Sequence, residues 1–183
     1  MKKKLLALLI VGSAVIASSC NKIKEAADQN ITLTTADVTI SVASQGVSAQ
    51  EVTLNSVVAT ADLDALIKQK ASGFGLKNVK SLKIKTLTAE ITAGADANNS
   101  FANLNDVSAV IEATGKTPFT ATYSSASTTR TDKISLVVNS AVDLKDLVSG
   151  TGLKYTLKSK IRTALTNNLT IKLVATYDAV VGL

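Results

Sequence analysis

The chain has 183 residues, of which 46% are hydrophobic, 19% charged and only 3% aromatic. That length fits one domain, and that apolar fraction is enough for a core, so the composition excludes an intrinsically disordered chain. The sequence contains no His and a single Cys. It therefore excludes His-based catalytic triads, His-ligated zinc or haem, internal disulfides and CxxC sites.

The first twenty residues have the three parts of a secretory signal peptide. Lys2, Lys3 and Lys4 precede an apolar run from Leu5 to Ile16, and small residues lead to Cys20. A basic start, an apolar centre of this length and a small-residue end are typical of a cleaved export signal. The apolar run is shorter than the ~20 residues that a membrane-spanning helix needs. The sequence therefore predicts an exported protein.

The segment Ala17-Ser18-Ser19-Cys20 resembles the lipobox of bacterial lipoproteins, with Ala17 where Leu is preferred. The resemblance implies cleavage before Cys20, lipidation of its thiol and acylation of the new amino group. It divides the chain into a signal peptide at 1–19, an acylated Cys with a polar tether at 20–30, and one domain at 31–183. The alternative is an ordinary signal peptide with an incidental Cys.

The residues after Cys20 bear on location and charge. Asn21-Lys22 lacks the Asp that such lipoproteins use for inner-membrane retention, so we expect an outer-membrane anchor, on the periplasmic face or the cell surface. Without the signal peptide, 17 basic side chains stand against 14 acidic ones. The formal net charge of +6 for the whole chain is therefore not a nucleic-acid footprint.

Beyond the tether, apolar and polar residues alternate, which is the period of a half-buried β-strand. The parity changes near Thr35 and again between Ile84 and Leu87, which predicts a bulge or a break between strands. Turn residues at 94–100, 115–118 and 124–131 separate the segments, and Asn167-Asn168 is interpreted as a hairpin turn. We predict an all-β fold, an antiparallel β-sandwich of the Ig or fibronectin-III type. Its strands are predicted at 31–33, 38–42, 52–58, 82–91, 107–113, 119–123, 134–138, 153–161 and 169–177.

Two short segments break the alternation. Leu63, Leu66 and Ile67 have the spacing of one helical face, which predicts a helix over 62–70. VDLKDLV at Val142–Val148 predicts a second short helix. The two segments resemble each other, as DLDAL from Asp62 and DLKDL from Asp143. A duplicated strand–helix–strand unit explains this similarity, and chance is the alternative.

The second half of the chain resembles the late-embryogenesis-abundant type 2 domain, a fibronectin-III-like β-sandwich. The similarity lies in the spacing of four segments, which are the strand at 134–138, DLKDLV at Asp143–Val148, LKYTL at Leu153–Leu157 and the strand at 169–177. It implies a sandwich and transfers no functional residues.

Motifs that carry catalysis are absent from the sequence. It contains no phosphate-binding loop, no GxGxxG, no EF-hand loop and no GxSxG. The carboxylate pair Asp62/Asp64 lies at a predicted helix start, where negative charge favours the helix dipole. Asp143 and Asp146 could share one face of the second predicted helix, and they are interpreted as solvated charge. A Ser–Lys dyad stays formally open. We expect no enzymatic activity, no cofactor and no metal, and no small-molecule substrate is identified.

The most individual feature of the domain is basic. Lys154, Lys158, Lys160 and Arg162 share parity in one predicted strand, so they project from one face. A second basic segment holds Lys77, Lys80, Lys83 and Lys85. The functional interpretation is an anionic surface partner, such as lipopolysaccharide, phospholipid headgroups or an acidic polymer. The alternative is a solvated face whose lysines protect an edge strand from aggregation. Nucleic acid is not expected, because the chain is exported and lacks stacking aromatics.

The sequence therefore predicts a membrane-anchored, non-catalytic lipoprotein of the cell envelope. Its expected role is structural or accessory, within an outer-membrane assembly. Its expected partners are the membrane, through the lipid anchor, and an outer-membrane protein complex. The alternative is a lipid- or anionic-glycan-binding module that uses the basic strand face.

Overall fold

A computed structural model describes residues 28–35, 37–60, 62–124, 127–148 and 152–183. The predicted signal peptide, Cys20 and most of the predicted tether lie outside these residues. The described residues form nine strands, two α-helices, and two 3-10 turns at Leu76–Asn78 and Phe101–Asn103. The helices are α1 (Leu63–Lys70) and α2 (Lys145–Val148). The strands are β1 (Gln29–Thr34), β2 (Val38–Val42), β3 (Ser48–Ala59), β4 (Val79–Ala93), β5 (Leu104–Glu112), β6 (Phe119–Ser124), β7 (Lys133–Leu136), β8 (Leu153–Ile161) and β9 (Leu169–Val181).

The strands form two antiparallel sheets around one core. The first sheet has the order β1, β9, β4, β7, and β2 also pairs with β9. The second sheet has the order β3, β8, β5, β6. Backbone hydrogen bonds between Thr122 and Val137 join β6 to the end of β7, at 3.1 and 2.6 Å. The predicted all-β antiparallel sandwich with short helices is confirmed.

The alternation in the sequence decides which side chains enter the core. In β9, Leu169, Ile171 and Leu173 are buried, while Thr170 and Lys172 between them are partly exposed. The same alternation continues to Val181. The apolar tail after Tyr177 therefore extends the last strand beyond the range predicted for it.

The two predicted changes of parity have different structural causes. Near Thr35 the chain leaves β1 and enters β2, and both strands pair with β9. Between Ile84 and Thr86 the register of β4 against β9 shifts by one residue. The extra residue is a bulge that returns Leu87 to the buried face already used by Ile84.

Helix α1 agrees with its prediction. The Asp62 side chain accepts a hydrogen bond from the Ala65 N–H at 2.9 Å, and Leu63 and Ile67 are buried. Asp62 is therefore a helix cap.

The second helix is shorter than predicted, because the residues before it are held along β4. The Leu144 N–H donates to the Leu82 carbonyl at 2.7 Å, and the Leu82 N–H donates to Asp143 at 3.1 Å. Asp143 also accepts from the Lys145 N–H at 2.9 Å. The Asp143 carboxylate therefore caps the start of α2 and also binds a backbone N–H group of β4.

The interpretation of Asn167-Asn168 as a hairpin turn is wrong. Strands β8 and β9 lie in different sheets, so residues 162–168 cross from one sheet to the other. The turn predicted at 115–118 does close a hairpin, between the paired strands β5 and β6. Gly115 there has a φ of 72°, in the left-handed region that favours glycine.

The pairing of the strands has an internal equivalence. We call β3–α1–β4–β5 the first unit and β7–α2–β8–β9 the second unit. In the second sheet β8 lies between β3 and β5, and in the first sheet β4 lies between β7 and β9. Each unit therefore places its middle strand between two strands of the other. This arrangement supports the duplication that the two similar helical segments predict.

Candidate functional site

The predicted basic residues lie on the outer side of β8. We call Lys154, Lys158, Lys160 and Arg162 the basic face. Strand β8 pairs with β5 in an uninterrupted register from Glu112 to Val107. The three lysines therefore lie on one side of β8, and Arg162 comes directly after the end of the strand. The core-facing residues of β8 are buried on the opposite side.

The position of β8 excludes one interpretation of these lysines. Strand β8 pairs with β3 on one side and with β5 on the other, so it is an interior strand. Protection of an edge strand by Lys154, Lys158 and Lys160 is therefore wrong. Edge protection requires lysines on a strand whose backbone groups are unpaired.

Neighbouring acids compensate much of the charge of the basic face. Lys154 forms an ion pair with Glu112 at 3.3 Å, directly across the strand pair, and Lys160 forms one with Asp106 at 3.0 Å. Hydrogen bonds from Ser124 and Lys160 lower the pKa of Asp106. These acids share the even parity of β5, but the sequence does not tell that β5 lies beside β8.

Arg162 is also engaged. Its guanidinium donates to the Asn105 side chain at 2.7 Å and to the Ser127 carbonyl at 3.0 Å. The cation thereby ties the end of β8 to the start of β5 and to the loop that follows β6. A structural role accounts for this side chain.

The centre of the basic face differs from its ends. Lys158 forms no ion pair with any described residue, and it lies across from Thr53 and Ser108. Thr156 lies on the same side of β8, between Ser56 and Val110, and is only 6% exposed. The Thr156 hydroxyl has no hydrogen-bond partner among the described residues. Lys158 and Thr156 are therefore the two groups on this face with unused capacity for a ligand.

A cluster of polar residues lies at the end of the sandwich opposite to α1. We call this end the loop end, and it consists of residues 43–47, 94–103, 127–132 and 162–168. A depression of about 420 Å³ there is lined by Asn98, Ser100, Asn103, Arg130 and Thr163, among others. Behind it, Asn103 donates to the carbonyl of Asn98 at 2.7 Å and to that of Ala164 at 3.1 Å.

Asn99 is the centre of this cluster. It accepts from the N–H groups of Thr166 and Asn167, at 2.7 and 3.2 Å, and donates to Asp96 at 2.8 Å. The hydrogen bond from Asn99, followed by that from the Asn98 N–H, lowers the pKa of Asp96. The cluster therefore clamps two loops together, and the sequence analysis missed it because it reads 94–100 only as a turn.

A second depression, of about 410 Å³, lies on the outer side of the first sheet and is lined by Ile31, Ser81, Lys83, Asp178 and other residues. Hydrogen bonds from Thr32 at 2.8 Å and Lys85 at 3.3 Å hold Asp178 and lower its pKa. The two charged lining residues thus have opposite signs, and Asp178 is paired whereas Lys83 forms no ion pair with a described residue.

The carboxylates that the sequence singles out act in local structure. Asp64 pairs with Lys68 and accepts the Leu76 N–H at 2.7 Å, and these contacts lower its pKa. Burial opposes ionisation of Asp143, but its hydrogen bonds from Lys145 and Leu82 still lower the pKa. Among the described residues, no group of three or more Asp, Glu, His or Cys side chains is placed to hold a metal. Within the same part of the chain, no helix has the length and apolar character to cross a membrane.

No protein-family model matches the chain, and no curated protein sequence matches it either. Two solved structures are similar to it over most of both chains. The structure of Desmodium yellow mottle tymovirus is 12% identical, covers 100% of this chain and 96% of its own, and has a TM-score of 0.29. The BFDV capsid protein, in a 60-mer, is 13% identical, covers 86% and 96%, and has a TM-score of 0.32. Overlaps this low bear on neither the fold nor the function of this chain.

Proposed function

We propose that this chain is a lipid-anchored accessory protein of the bacterial cell envelope, held in the outer membrane through Cys20. The observation that carries the proposal is the position of the only Cys, directly after a basic, then apolar, then small-residue segment. Two or three acyl chains bury tens of CH₂ groups at ~0.8 kcal/mol each, so such an anchor is stable.

The geometry of the domain is compatible with this anchor. Strand β1 begins at Gln29, so eight residues separate it from Cys20. A fully extended chain of that length spans about 30 Å. A domain tethered in this way stays near the bilayer surface, where an envelope partner is within reach.

The polar side chains of the described domain support an accessory role rather than a catalytic one. The carboxylates discussed above cap helices, form ion pairs or receive backbone hydrogen bonds. The buried amides of Asn99 and Asn103 bind neighbouring loops. These groups are committed to holding the fold.

Membrane fractionation in a Gram-negative host tests the anchor. We expect the wild-type chain in the outer-membrane fraction, with acyl mass on its N-terminal Cys20 peptide. Cys20→Ser should move to the soluble periplasmic fraction, and Ala17→Leu, which restores the preferred lipobox residue, should be processed at least as well as the wild type. Persistence of Cys20→Ser in the membrane fraction would refute the proposal.

Capture of partners tests the accessory role. The Leu183 side chain is 74% exposed, so a C-terminal tag suits this chain. Gentle solubilisation followed by tag capture should recover an envelope protein in stoichiometric amount from wild type and not from Cys20→Ser. An anchored protein that co-purifies with no such partner would remove the accessory role.

A second candidate function is a module that binds an anionic lipid or glycan at the centre of the basic face. It is favoured by the unpaired Lys158 beside the unpartnered hydroxyl of Thr156. We expect Lys158→Glu with Lys160→Glu to abolish binding to lipopolysaccharide. Lys133→Glu with Lys172→Glu, on the first sheet, makes the same change in charge and serves as the control. Binding that survives the first pair of substitutions would exclude this module.

A further inference from the structure

We infer that one end of the sandwich is a docking surface for the anionic headgroups of the lipid bilayer, an inference that rests on the proposed anchor at Cys20. We call it the tether end. It consists of residues 28–29, 59–60, 62–83, 112–119, 137–148, 152–154 and 181–183.

The described chain enters the domain at this end. Gln29 pairs with Val181, and Val79 pairs with Val181 from the other side, so β1 and β4 begin where β9 finishes. The ammonium group of Lys80 holds Asp28 at 2.6 Å. Any anchor that precedes Asp28 by a few residues therefore brings this end toward the bilayer first.

Both helices and one hairpin turn lie at the same end. Helix α1 follows β3 and contacts β1, and α2 contacts the first half of β4. In the second sheet Ala59 pairs with Leu153, and Glu112 with Lys154, so the turn at 113–118 projects on this side too. The loop end, at the opposite end of the sandwich, contains the cluster of Asn99 and Asn103 that holds two loops together.

The excess positive charge of the described domain is concentrated at the tether end. The described residues include 15 basic and 13 acidic side chains, and the tether end has eight of the basic and six of the acidic ones. Lys85 and Asp178 pair with each other in the middle of the first sheet. The remaining part, towards the loop end, has six of each sign. The imbalance of two charges therefore belongs to the end that faces the bilayer.

Most of the free cations are also there. Three of the eight basic residues form ion pairs, between Lys68 and Asp64, Lys80 and Asp28, and Lys154 and Glu112. The other five are exposed and form no ion pair with a described residue. They are Lys70, Lys77, Lys83, Lys116 and Lys145. They come from α1, a 3-10 turn, β4, the β5–β6 turn and α2, so they surround the point of entry rather than follow one strand.

Exposed apolar side chains accompany these lysines. Val137, Val142 and Leu183 are three of the five large hydrophobic residues that are exposed in the described chain, and all three lie at the tether end. Lysines around a few apolar groups match an interface of anionic headgroups over acyl chains. Charge complementarity and the point of chain entry thus identify the same surface.

The first test orients the acylated protein on vesicles. Because lipidation occupies Cys20, a Cys introduced by Thr117→Cys or by Ala43→Cys is the only free thiol, and both positions are exposed. We expect a fluorophore at 117, at the tether end, to be quenched by headgroup quenchers in vesicles of phosphatidylethanolamine with phosphatidylglycerol. A fluorophore at 43, at the loop end, should not be quenched. Equal quenching at the two positions, or equal quenching at 117 in pure phosphatidylcholine vesicles, overturns the proposal.

The second test does not need the anchor. The unacylated mature chain with Cys20→Ser should sediment with phosphatidylglycerol vesicles at low salt and should dissociate at high salt. Adding Lys70→Glu, Lys77→Glu and Lys145→Glu should weaken this binding by more than about tenfold, since each lysine near an anionic surface contributes severalfold. Arg130→Glu, Lys133→Glu and Lys172→Glu make a matched charge change outside both the tether end and the basic face, and they should have a smaller effect. Equal losses in the two triple variants overturn the proposal, whereas a missing acyl mass on Cys20 refutes only the anchor.

Discussion

Asn99 provides the sharpest test of how the loop end is held. It is completely buried, and it joins the loop after β4 to the crossover between β8 and β9. Asn99→Ala removes the acceptor for the N–H groups of Thr166 and Asn167, and it removes the donor to Asp96 and to the Thr166 hydroxyl. No described side chain takes over these bonds without a movement of the two loops.

The size of the effect follows from those four hydrogen bonds. A buried polar group that loses its partner costs ~1–3 kcal/mol. Thr166 and Asn167 belong to an exposed stretch, so water relieves part of the cost after truncation. Asp96 keeps its bonds from the Asn98 N–H and the Asn167 side chain, both at 2.7 Å. We therefore expect a loss of about 2–4 kcal/mol, a large part of the ~5–15 kcal/mol that stabilises a typical domain.

Equilibrium unfolding in urea measures this loss. Asn98→Ala is the matched control, because Asn98 is the exposed neighbour and its side chain forms no hydrogen bond with a described residue. Its free energy of unfolding should change by less than ~0.5 kcal/mol. If Asn99→Ala cost no more than Asn98→Ala, the clamp would not stabilise the fold and the reasoning would fail.

Three further predictions test other parts of the domain. Gly94 has a φ of 84°, and a Cβ there would collide with the Asn168 carbonyl, whereas a Cβ at Gly115 would meet only open space. Gly115→Ala should therefore cost only the ~1 kcal/mol strain of its φ, and Gly94→Ala should destabilise the domain by about 2 kcal/mol more. Similar melting temperatures of the two variants would contradict this. Burial raises the pKa of both Tyr155 and Tyr177, which share a hydrogen bond between the two sheets. Each single Tyr→Phe substitution should therefore cost ~1–3 kcal/mol, and the double variant should cost less than the sum of the two. Strict additivity in a double-mutant cycle would argue against the bond. The lowered pKa of five carboxylates gives stability that is present above about pH 4 and lost as the pH falls, whereas the raised tyrosine pKa gives stability that is lost above about pH 10. With no His in the chain, the melting temperature should be level from about pH 5 to 9. A step near pH 6.5 would refute this assignment. The five carboxylates with a lowered pKa are Asp64, Asp96, Asp106, Asp143 and Asp178.

The strands could be predicted because each carries its own alternation. In β9 the buried positions follow directly from parity, in β8 they do so except at Thr156, and the bulge in β4 is visible as a change of parity between Ile84 and Leu87. Helix α1 was predictable for the same reason, since Asp62, Leu63 and Ile67 mark its start and its buried face. These features depend on residues near each other in the chain.

Features that depend on strand order could not be predicted. The basic face has the parity that the sequence indicates, but its charge is set by Glu112 and Asp106 on β5, about fifty residues earlier in the chain. Alternation along β8 contains no information about which strand lies beside it. The same limit explains the hairpin wrongly assigned to Asn167-Asn168, because consecutive strands pair in one sheet often but not always.

The buried asparagines were hidden for a related reason. The segment GADANNS has the composition of an exposed turn, and Asn is mostly an exposed residue. Asn99 is buried only because the crossover at 162–168 lies against it, 67 residues further along the chain. A polar residue with a distant partner has no periodic pattern to reveal it.

The equivalence of the two units explains why the chain needs both. Strand β4 has one edge covered by β7 and the other by β9, and β8 is covered by β3 and β5. A single unit would leave both edges of its middle strand unpaired and its apolar face exposed, so it can be satisfied only by a second copy. The equivalence ends at the outer strands, where β6 follows its own unit while β1 and β2 come from the start of the described domain. That exception places the entry of the described chain on one sheet only. An otherwise two-fold arrangement therefore has one end, marked by the ion pair of Asp28 and Lys80, that differs from the equivalent end of the other sheet.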